Sequence, residues 1–233
     1  MGVSNLLNST IINKVLMAVT GLILVLFVTG HAIGNLQIYL GRDVMNTYAE
    51  FLQSTGELLW AVRIFLLLAL VIHIYTSVKL KFLNLSARPE GYKIKSYVKS
   101  TLYSRTMIWT GIMIFLFVVY HILHFTMGVT DPEIYGHAEF YGPGNIFERH
   151  DVYKMIILGF RNPIVSVVYI AAVILLGFHL AHAIQSMFQS LGLTGPSLTE
   201  KLIKTGKIVA ILITLIYIAV PAGVLLGLVG GDV

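Results

Sequence analysis

The chain has 233 residues, of which 57% are hydrophobic and only 12% are charged, and its mean hydropathy is +0.83. This composition excludes an ordinary water-soluble domain and indicates a membrane protein. The absence of cysteine excludes disulfides and an iron–sulfur cluster held by this chain. The net charge of +5 is explained by membrane topology, so no nucleic-acid partner is predicted.

Five apolar stretches are long enough to cross about 30 Å of hydrocarbon. In chain order they are Val15–Tyr39, Leu58–Phe82, Tyr103–Gly128, Pro163–Phe188 and Ile208–Val229. Each is predicted to be a helix, because a lone spanning segment must satisfy its backbone hydrogen bonds internally. The first stretch is too long for a cleavable signal peptide. We therefore predict an all-α fold, with residues 1–233 forming a single membrane domain of five transmembrane helices.

The basic residues predict the orientation of this bundle. With five spans, 11 of the 16 Lys and Arg fall on the side that holds the N-terminus, and nine of the eleven acids fall on the other side. Basic residues accumulate on the cytoplasmic side of membrane proteins. We therefore predict a cytoplasmic N-terminus and an outside C-terminus.

The connections carry boundary signals. Asn162 before Pro163 is a typical helix start, and Ser197–Glu200 resembles a capping box for a short lead-in to span five. The longest connection, Val129–Arg161, is expected to fold over the outer mouth of the bundle.

Four histidines lie late in four different spans: His31, His73, His121 and His179. Because consecutive spans run in opposite directions, His31 and His121 are predicted at one depth near the outside. His73 and His179 are predicted at a second depth near the inside. Two imidazoles at one depth suit a bis-histidine b-type haem, and two such pairs would form a transmembrane electron path. The two depths differ by about 10–13 Å, at 1.5 Å per residue from the span centres.

An internal repeat accompanies the outer pair. Nine residues separate Thr20–Gly21 from His31, and nine separate Thr110–Gly111 from His121. Small residues let a macrocycle or a neighbouring helix approach the backbone closely.

Other histidines remain alternatives. His124 and His182 lie three residues beyond His121 and His179, on nearly the same helix face. They lie about 4–5 Å nearer the membrane surface, so we expect them to contact haem propionates or line a quinone or proton path instead. His137 and His150 are interpreted as surface residues of the outer loop. A lone membrane histidine can also simply bond to a carbonyl or mark a proton path.

A copper or zinc site is the rival interpretation. Such a site needs several ligands that converge on one atom, usually with carboxylate or cysteine support. The predicted pairs lie at different depths without an intramembrane carboxylate, whereas haem requires only two axial imidazoles.

These features resemble the single-chain, five-helix, di-haem cytochrome b subunit of succinate:menaquinone oxidoreductases and quinol:fumarate reductases. The resemblance is carried by the 42-residue spacing from His31 to His73, by Thr110–Gly111 and Phe117–His121, and by Gly177–His179. It implies that His31 and His121 hold the distal haem b and that His73 and His179 hold the proximal one.

The resemblance also implies partners and a location. A flavoprotein subunit and an iron–sulfur subunit would dock on the cytoplasmic face, with the basic loop Lys79–Arg105 facing the iron–sulfur subunit. Electrons would pass through both haems to or from menaquinone, in a bacterial inner membrane and in contact with its lipid. A dimer of the whole complex remains open. The dicarboxylate site would lie outside this chain, and the direction of the reaction is left open.

The quinone site and accessory contacts are expected from position. Glu50 and Glu57 lie between spans one and two on the outer side, where a proton-exchanging group would serve a quinone, although either is equally a solvated carboxylate. Arg105 could pair with an inner propionate or anchor its helix at the headgroups. Some fumarate reductases of this type carry a glutamate at the position of Gly177, which leaves a compensating proton path in doubt.

Two other classes of function stay open. One is a cytochrome b subunit of a different membrane oxidoreductase, of the hydrogenase or nitrate-reductase type. The other is a haem-free transporter with histidine proton relays, although the chain lacks the broken helices usual in such proteins.

Overall fold

The computed structural model describes residues 9–87, 102–193 and 195–233. Their helices and strands are, in chain order, α1 (Thr10–Asn35), α2 (Arg42–Ser54), α3 (Glu57–Ser86), α4 (Leu102–His121), α5 (Pro132–Tyr135), β1 (Ala138–Tyr141), β2 (Phe147–His150), α6 (Val152–Arg161), α7 (Pro163–Ser190) and α8 (Pro196–Leu225). A 3₁₀ turn, Leu36–Leu40, extends α1, and a π-helical turn, Ile122–Thr126, extends α4. The predicted all-α fold with five spanning helices is confirmed: α1, α3, α4, α7 and α8 are each long and apolar enough to cross a bilayer.

The spanning helices form a bundle that is apolar on the outside. Large side chains such as Leu26, Phe82 and Trp109 are 64–69% exposed, whereas Thr20 and Thr110 are buried. This distribution is the reverse of a water-soluble protein and fits a lipid-facing surface. The protein is therefore a multi-pass membrane protein.

The ends of the helices follow local chemistry. The Asn162 side chain accepts hydrogen bonds from the amides of Ile164 and Val165, which confirms the predicted start of α7. The predicted lead-in with a cap at Ser197 is wrong. One continuous helix, α8, begins at Pro196, because proline suits the first turn of a helix and the apolar pattern then continues. It ends at Leu225, before Gly227, whose positive φ of 68° breaks the helix.

The packing order places α7 at the centre of the bundle. Helix α1 packs against α3 and α7, α4 packs against α7, and α8 packs against α7 and α1. A Cβ atom on Gly177 would lie 2.3 Å from the Thr214 hydroxyl oxygen, so α7 and α8 touch through a missing side chain. The paired histidines come from α1 with α4 and from α3 with α7.

A polar cap covers one end of the bundle. We define the cap as α2, α5, the antiparallel hairpin β1–β2 and α6, and α6 packs against α2, α7 and α8. The predicted folding of Val129–Arg161 over one mouth is thus confirmed. The opposite end carries Lys79, Arg105 and Lys207. We keep the names outer for the capped end and inner for the basic end.

Ion pairs of two buried residues, Asp151 and Arg149, hold the cap together. Asp151 is fully buried, accepts hydrogen bonds from Arg42, from Asn46 Nδ2 (2.9 Å) and from the Lys154 amide (3.0 Å), and thereby caps α6. Arg149 bonds to Asp43 at 2.7 Å and to Glu139 at 2.8 Å. These contacts join α2 to the hairpin and to α6. Of the basic loop expected to face an iron–sulfur partner, Arg88, Lys93, Lys95 and Lys99 lie outside the described residues.

Candidate functional site

The inner histidines are held by threonine hydroxyls from neighbouring helices. His73 Nδ1 lies 3.3 Å from Thr20 Oγ1 and 3.2 Å from the Met17 carbonyl oxygen, and His179 Nδ1 lies 3.1 Å from Thr110 Oγ1.

The direction of these hydrogen bonds follows from the other partners of the threonines. The Thr20 hydroxyl donates to the Leu16 carbonyl oxygen at 2.7 Å, and the Thr110 hydroxyl donates to that of Met107 at 3.1 Å. Each hydroxyl has one hydrogen, so its lone pairs are left to accept the imidazole Nδ1–H. A neutral imidazole protonated on Nδ1 carries a free lone pair on Nε2, which is the form that binds a metal.

A glycine lies beside each of these rings, and the approach is tighter at Gly21. A Cβ atom on Gly21 would lie 3.3 Å from His73 Cε1, and one on Gly111 would lie 3.5 Å from His179 Cε1. In the sequence, the Thr–Gly repeat accompanies the outer histidines of the same spans. In the structure, each Thr–Gly pair contacts the inner histidine of a neighbouring helix, because a position three turns before an outer histidine lies at the inner level.

The outer histidines face each other directly. The ring centres of His31 and His121 are 5.9 Å apart, with an angle of 78° between the ring planes. These two side chains would hold a haem iron at this level. Phe27 stacks on His31 at 5.5 Å, and Tyr217 lies 6.1 Å from it.

The inner and outer histidine levels are far enough apart to hold two separate haems. Thr20 contacts the inner level and His31 belongs to the outer one, eleven residues further along α1. At 1.5 Å per residue this is about 16 Å along the helix axis. This distance is larger than the about 10–13 Å expected from the span centres. It is the rise along the axis of α1 from Thr20 to His31, whereas the expected value was the depth difference between the histidines along the membrane normal.

His124 and His182 occupy different surroundings. His124 is buried in the π-helical turn, where its Nδ1 lies 3.0 Å from the Tyr169 hydroxyl and its ring stacks on Phe125 at 4.0 Å. His182 is half-buried on α7. In the cap, His150 is half-buried and burial lowers its pKa, so it is more enclosed than the surface position expected for it.

The donor set fits haem better than a bare metal ion. Within the ranges that the structure describes, no three or more histidines, cysteines, aspartates or glutamates converge as a metal site. Haem supplies four ligands from its own ring and needs only two axial imidazoles from the protein. The paired histidines, their Nδ1 partners and the glycine-lined rings match that requirement.

The expected quinone carboxylates lie in or beside the cap. Glu50 accepts a hydrogen bond from the Tyr141 hydroxyl at 2.6 Å and lies 3.5 Å from Arg149, so it is part of the ion-pair network. A cavity of about 240 Å³ adjoins it. The cavity is lined by charged and polar residues, unlike the mostly apolar sites that hold cofactors. Glu57 is exposed in the first turn of α3, and Arg105 is exposed in the first turn of α4.

Gly177 has a packing role that explains its identity. Because its missing Cβ is replaced by Thr214 of α8, a glutamate at this position would separate α7 from α8. A glutamate at this position is incompatible with this packing.

Sequence reasoning missed the aromatic partners of the outer level. Tyr169 and Tyr217 are polar side chains within otherwise apolar spans, and that was the available signal. The Tyr217 hydroxyl donates to the Val28 carbonyl oxygen at 2.7 Å, which ties α8 to α1 beside His31. The roles of Thr20 and Thr110 as imidazole partners were also missed, although their repeat was noted.

No family model, curated protein or solved structure matches the chain.

Proposed function

We propose that this chain is the di-haem cytochrome b membrane-anchor subunit of a succinate:menaquinone oxidoreductase or quinol:fumarate reductase. The observation that carries the proposal is the set of paired histidines at two levels. In three of the four, Nδ1 lies within hydrogen-bond distance of a hydroxyl oxygen, as expected of an imidazole whose Nε2 binds iron.

The residues divide the work as follows. His73 and His179 would hold the inner haem b, and His31 and His121 the outer one. When bound, these haems would supply one-electron carriers on the two sides of the membrane. Thr20 and Thr110 orient the inner imidazoles, and the apolar helix surfaces exclude water from both levels. The chain itself would contribute the haem ligands and an apolar environment around them. Its share of the enzymatic reaction would be electron transfer and the reaction of the quinone.

The partners follow the charge of the two ends. A cytoplasmic iron–sulfur subunit, joined to a flavoprotein subunit, would dock at the inner end, where Lys79, Lys81, Lys204 and Lys207 lie. Menaquinone would react at the opposite end near the outer haem, with Glu50 and Glu57 as candidate proton-exchanging groups. The location would be a bacterial inner membrane with the N-terminus in the cytoplasm.

Haem content and copurification test the proposal. The protein is purified from its native membrane in mild detergent, bound haem is measured as the pyridine haemochrome, and copurifying subunits are identified by mass spectrometry. We expect two low-spin b haems per chain together with a flavoprotein and an iron–sulfur protein. One haem or none would reject the two-level scheme. Two haems together with a hydrogenase or nitrate-reductase subunit would support the two haem sites but assign the chain to that other complex.

A further inference from the structure

The hydroxyl of Tyr169 lies between two histidines. It is 3.0 Å from His124 Nδ1 and 3.4 Å from His121 Nδ1. The Tyr169 side chain is only 5% exposed, in an apolar part of α7. A buried phenol needs a hydrogen-bond partner, and these two imidazoles provide it.

The ring of Tyr169 is fixed by aromatic neighbours. Phe117 and Phe160 meet it edge-on at 5.0 and 4.9 Å, and Phe125 lies at 5.5 Å. Removing the hydroxyl would leave this ring packing intact. A Tyr169→Phe substitution therefore isolates the effect of the hydrogen bond.

Tyr169 occupies a position that recurs in the bundle. Thr20 and Thr110 lie eleven residues before His31 and His121, and Tyr169 lies ten residues before His179. Three helical turns contain about 10.8 residues, so in each helix the hydroxyl and the histidine share one face. Helices α1, α4 and α7 each present a histidine at one level and a hydroxyl partner at the other.

The order of hydrogens along this contact is set by the role of His121. If Nε2 of His121 is kept for iron, its proton is on Nδ1 and is donated to the Tyr169 oxygen. Tyr169 then donates its own proton to Nδ1 of His124. An imidazole that donates such a bond is held in one orientation and becomes a more basic ligand.

We propose that Tyr169 is the positioning residue of the outer haem: it orients His121 and increases its basicity, as Thr20 and Thr110 do for the inner histidines. The inference rests on the proposed function. A more basic axial ligand stabilises ferric over ferrous iron, so Tyr169 lowers the midpoint potential of the outer haem and leaves the inner one unaffected.

Redox titration of the purified complex tests this inference. In Tyr169→Phe we expect two haems per chain, with one of the two midpoint potentials raised and the other unchanged. The redox transition of the outer haem (the outer wave) is identified as the one that remains in a His73→Ala variant, which should lack the inner haem. Thr110→Val removes the hydroxyl 3.1 Å from His179 Nδ1, so it should give the reciprocal result and raise the potential of the inner haem alone.

Tyr217→Phe is the matched control. It removes the same hydroxyl at the same level beside His31, but that hydroxyl is bonded to a backbone carbonyl oxygen, so both potentials should stay unchanged. Unchanged potentials in Tyr169→Phe, an equal rise of both waves, or an equal rise in Tyr217→Phe would overturn the inference while the di-haem assignment stands. A wild-type complex without haem would overturn the proposed function itself.

Discussion

The inner and outer histidine levels place the same side chain in two different environments. At the inner level, His73 and His179 bond to threonines of a repeated Thr–Gly pair, which makes the two contacts nearly equivalent. At the outer level, aromatic side chains surround His31 and His121, and the hydroxyl contact comes from Tyr169 on one side. The inner level is built from a duplicated motif and the outer level from unrelated residues.

The difference has a structural reason. Small Thr–Gly pairs allow the helices to approach the inner imidazoles at van der Waals distance. The outer level lies beneath the cap, where Phe125 and Phe160 fill the space between bundle and α6. A Cβ atom on Gly159 of α6 would lie 2.8 Å from Phe125, so α6 of the cap packs directly against the aromatic side chains of the outer level. The outer level should therefore depend on the cap, and the inner level should not.

The largest expected effect is the loss of one haem. Replacing His31 or His121 by Ala should remove the outer haem, and replacing His73 or His179 should remove the inner one, because an axial ligand is lost. Haem content and reduced-minus-oxidised spectra measure the outcome. His124→Ala and His182→Ala are the controls and should retain both haems. If His182→Ala loses a haem and His179→Ala does not, the assignment of His179 as the haem ligand from α7 is wrong.

A glycine replacement should affect the inner level alone. A larger side chain at Gly21 would collide with the His73 ring, and overpacking of this kind costs about 1–3 kcal/mol. We expect Gly21→Val to weaken inner haem binding by about tenfold or more, as loss of ligand orientation does at other metal sites. Gly30→Val on the same helix is the control, since Gly30 is exposed and a Cβ atom there meets nothing within 4 Å. Equal haem loss in both variants would contradict the close approach.

Loss of Asp151 should act on the outer level through the cap. Replacing it by Asn removes the charged hydrogen bond with Arg42, which is one-third exposed and keeps its contact with Glu139, so the cost is about 1.5–3 kcal/mol. We expect a lower unfolding temperature and faster proteolysis of the cap, with a greater change in the outer haem spectrum than in the inner one. Glu148→Gln, at an exposed position of β2, should have little effect. If the outer haem spectrum stayed unchanged after proteolysis of the cap, the outer level would not depend on the cap.

Acid should have a similar but graded effect. Burial alone would raise the pKa of Asp151, but hydrogen bonds from Arg42 and Asn46 hold it below the ordinary value of 3.8. The carboxylate therefore stabilises the folded cap above pH 3.8, and this contribution is lost as the pH falls through the lower folded-state pKa. Protease sensitivity of the cap, measured from pH 6 downwards, should rise only below about pH 4. Opening of the cap at neutral pH would contradict this coupling.

The smallest structural effect is expected at Glu50. Glu50→Gln removes a partly exposed ion pair with Arg149, worth about 0.2–1 kcal/mol, so the cap should stay folded. If Glu50 exchanges protons with quinone, turnover with a menaquinone analogue should fall while both haem spectra remain unchanged. Glu57→Gln provides the comparison at the second candidate. Unchanged turnover in Glu50→Gln would leave this residue with its ion-pair role alone.

The amino-acid sequence was sufficient for the spanning helices and for the depth of the histidines, but not for the helices and the hairpin of the cap. Apolar length predicts the five spans, and the alternation of direction predicts that His31 lies at the level of His121. These properties follow from the bilayer, which imposes a fixed thickness and a helical backbone on any spanning segment. The start of α7 was also predictable, since Asn162 and Pro163 act within a few residues of each other.

Only the tertiary structure decided which residue touches which histidine. Thr20 and Thr110 bond to histidines 53 and 69 residues away, and Tyr169 reaches His121 across the bundle. The ion pairs of the cap likewise join Arg42 and Asp151 over 109 residues. Such contacts depend on the rotation and packing order of the helices, which side-chain fit such as that of Gly177 against Thr214 sets. Hydropathy fixes depth along the membrane normal, but it contains no information about rotation around it.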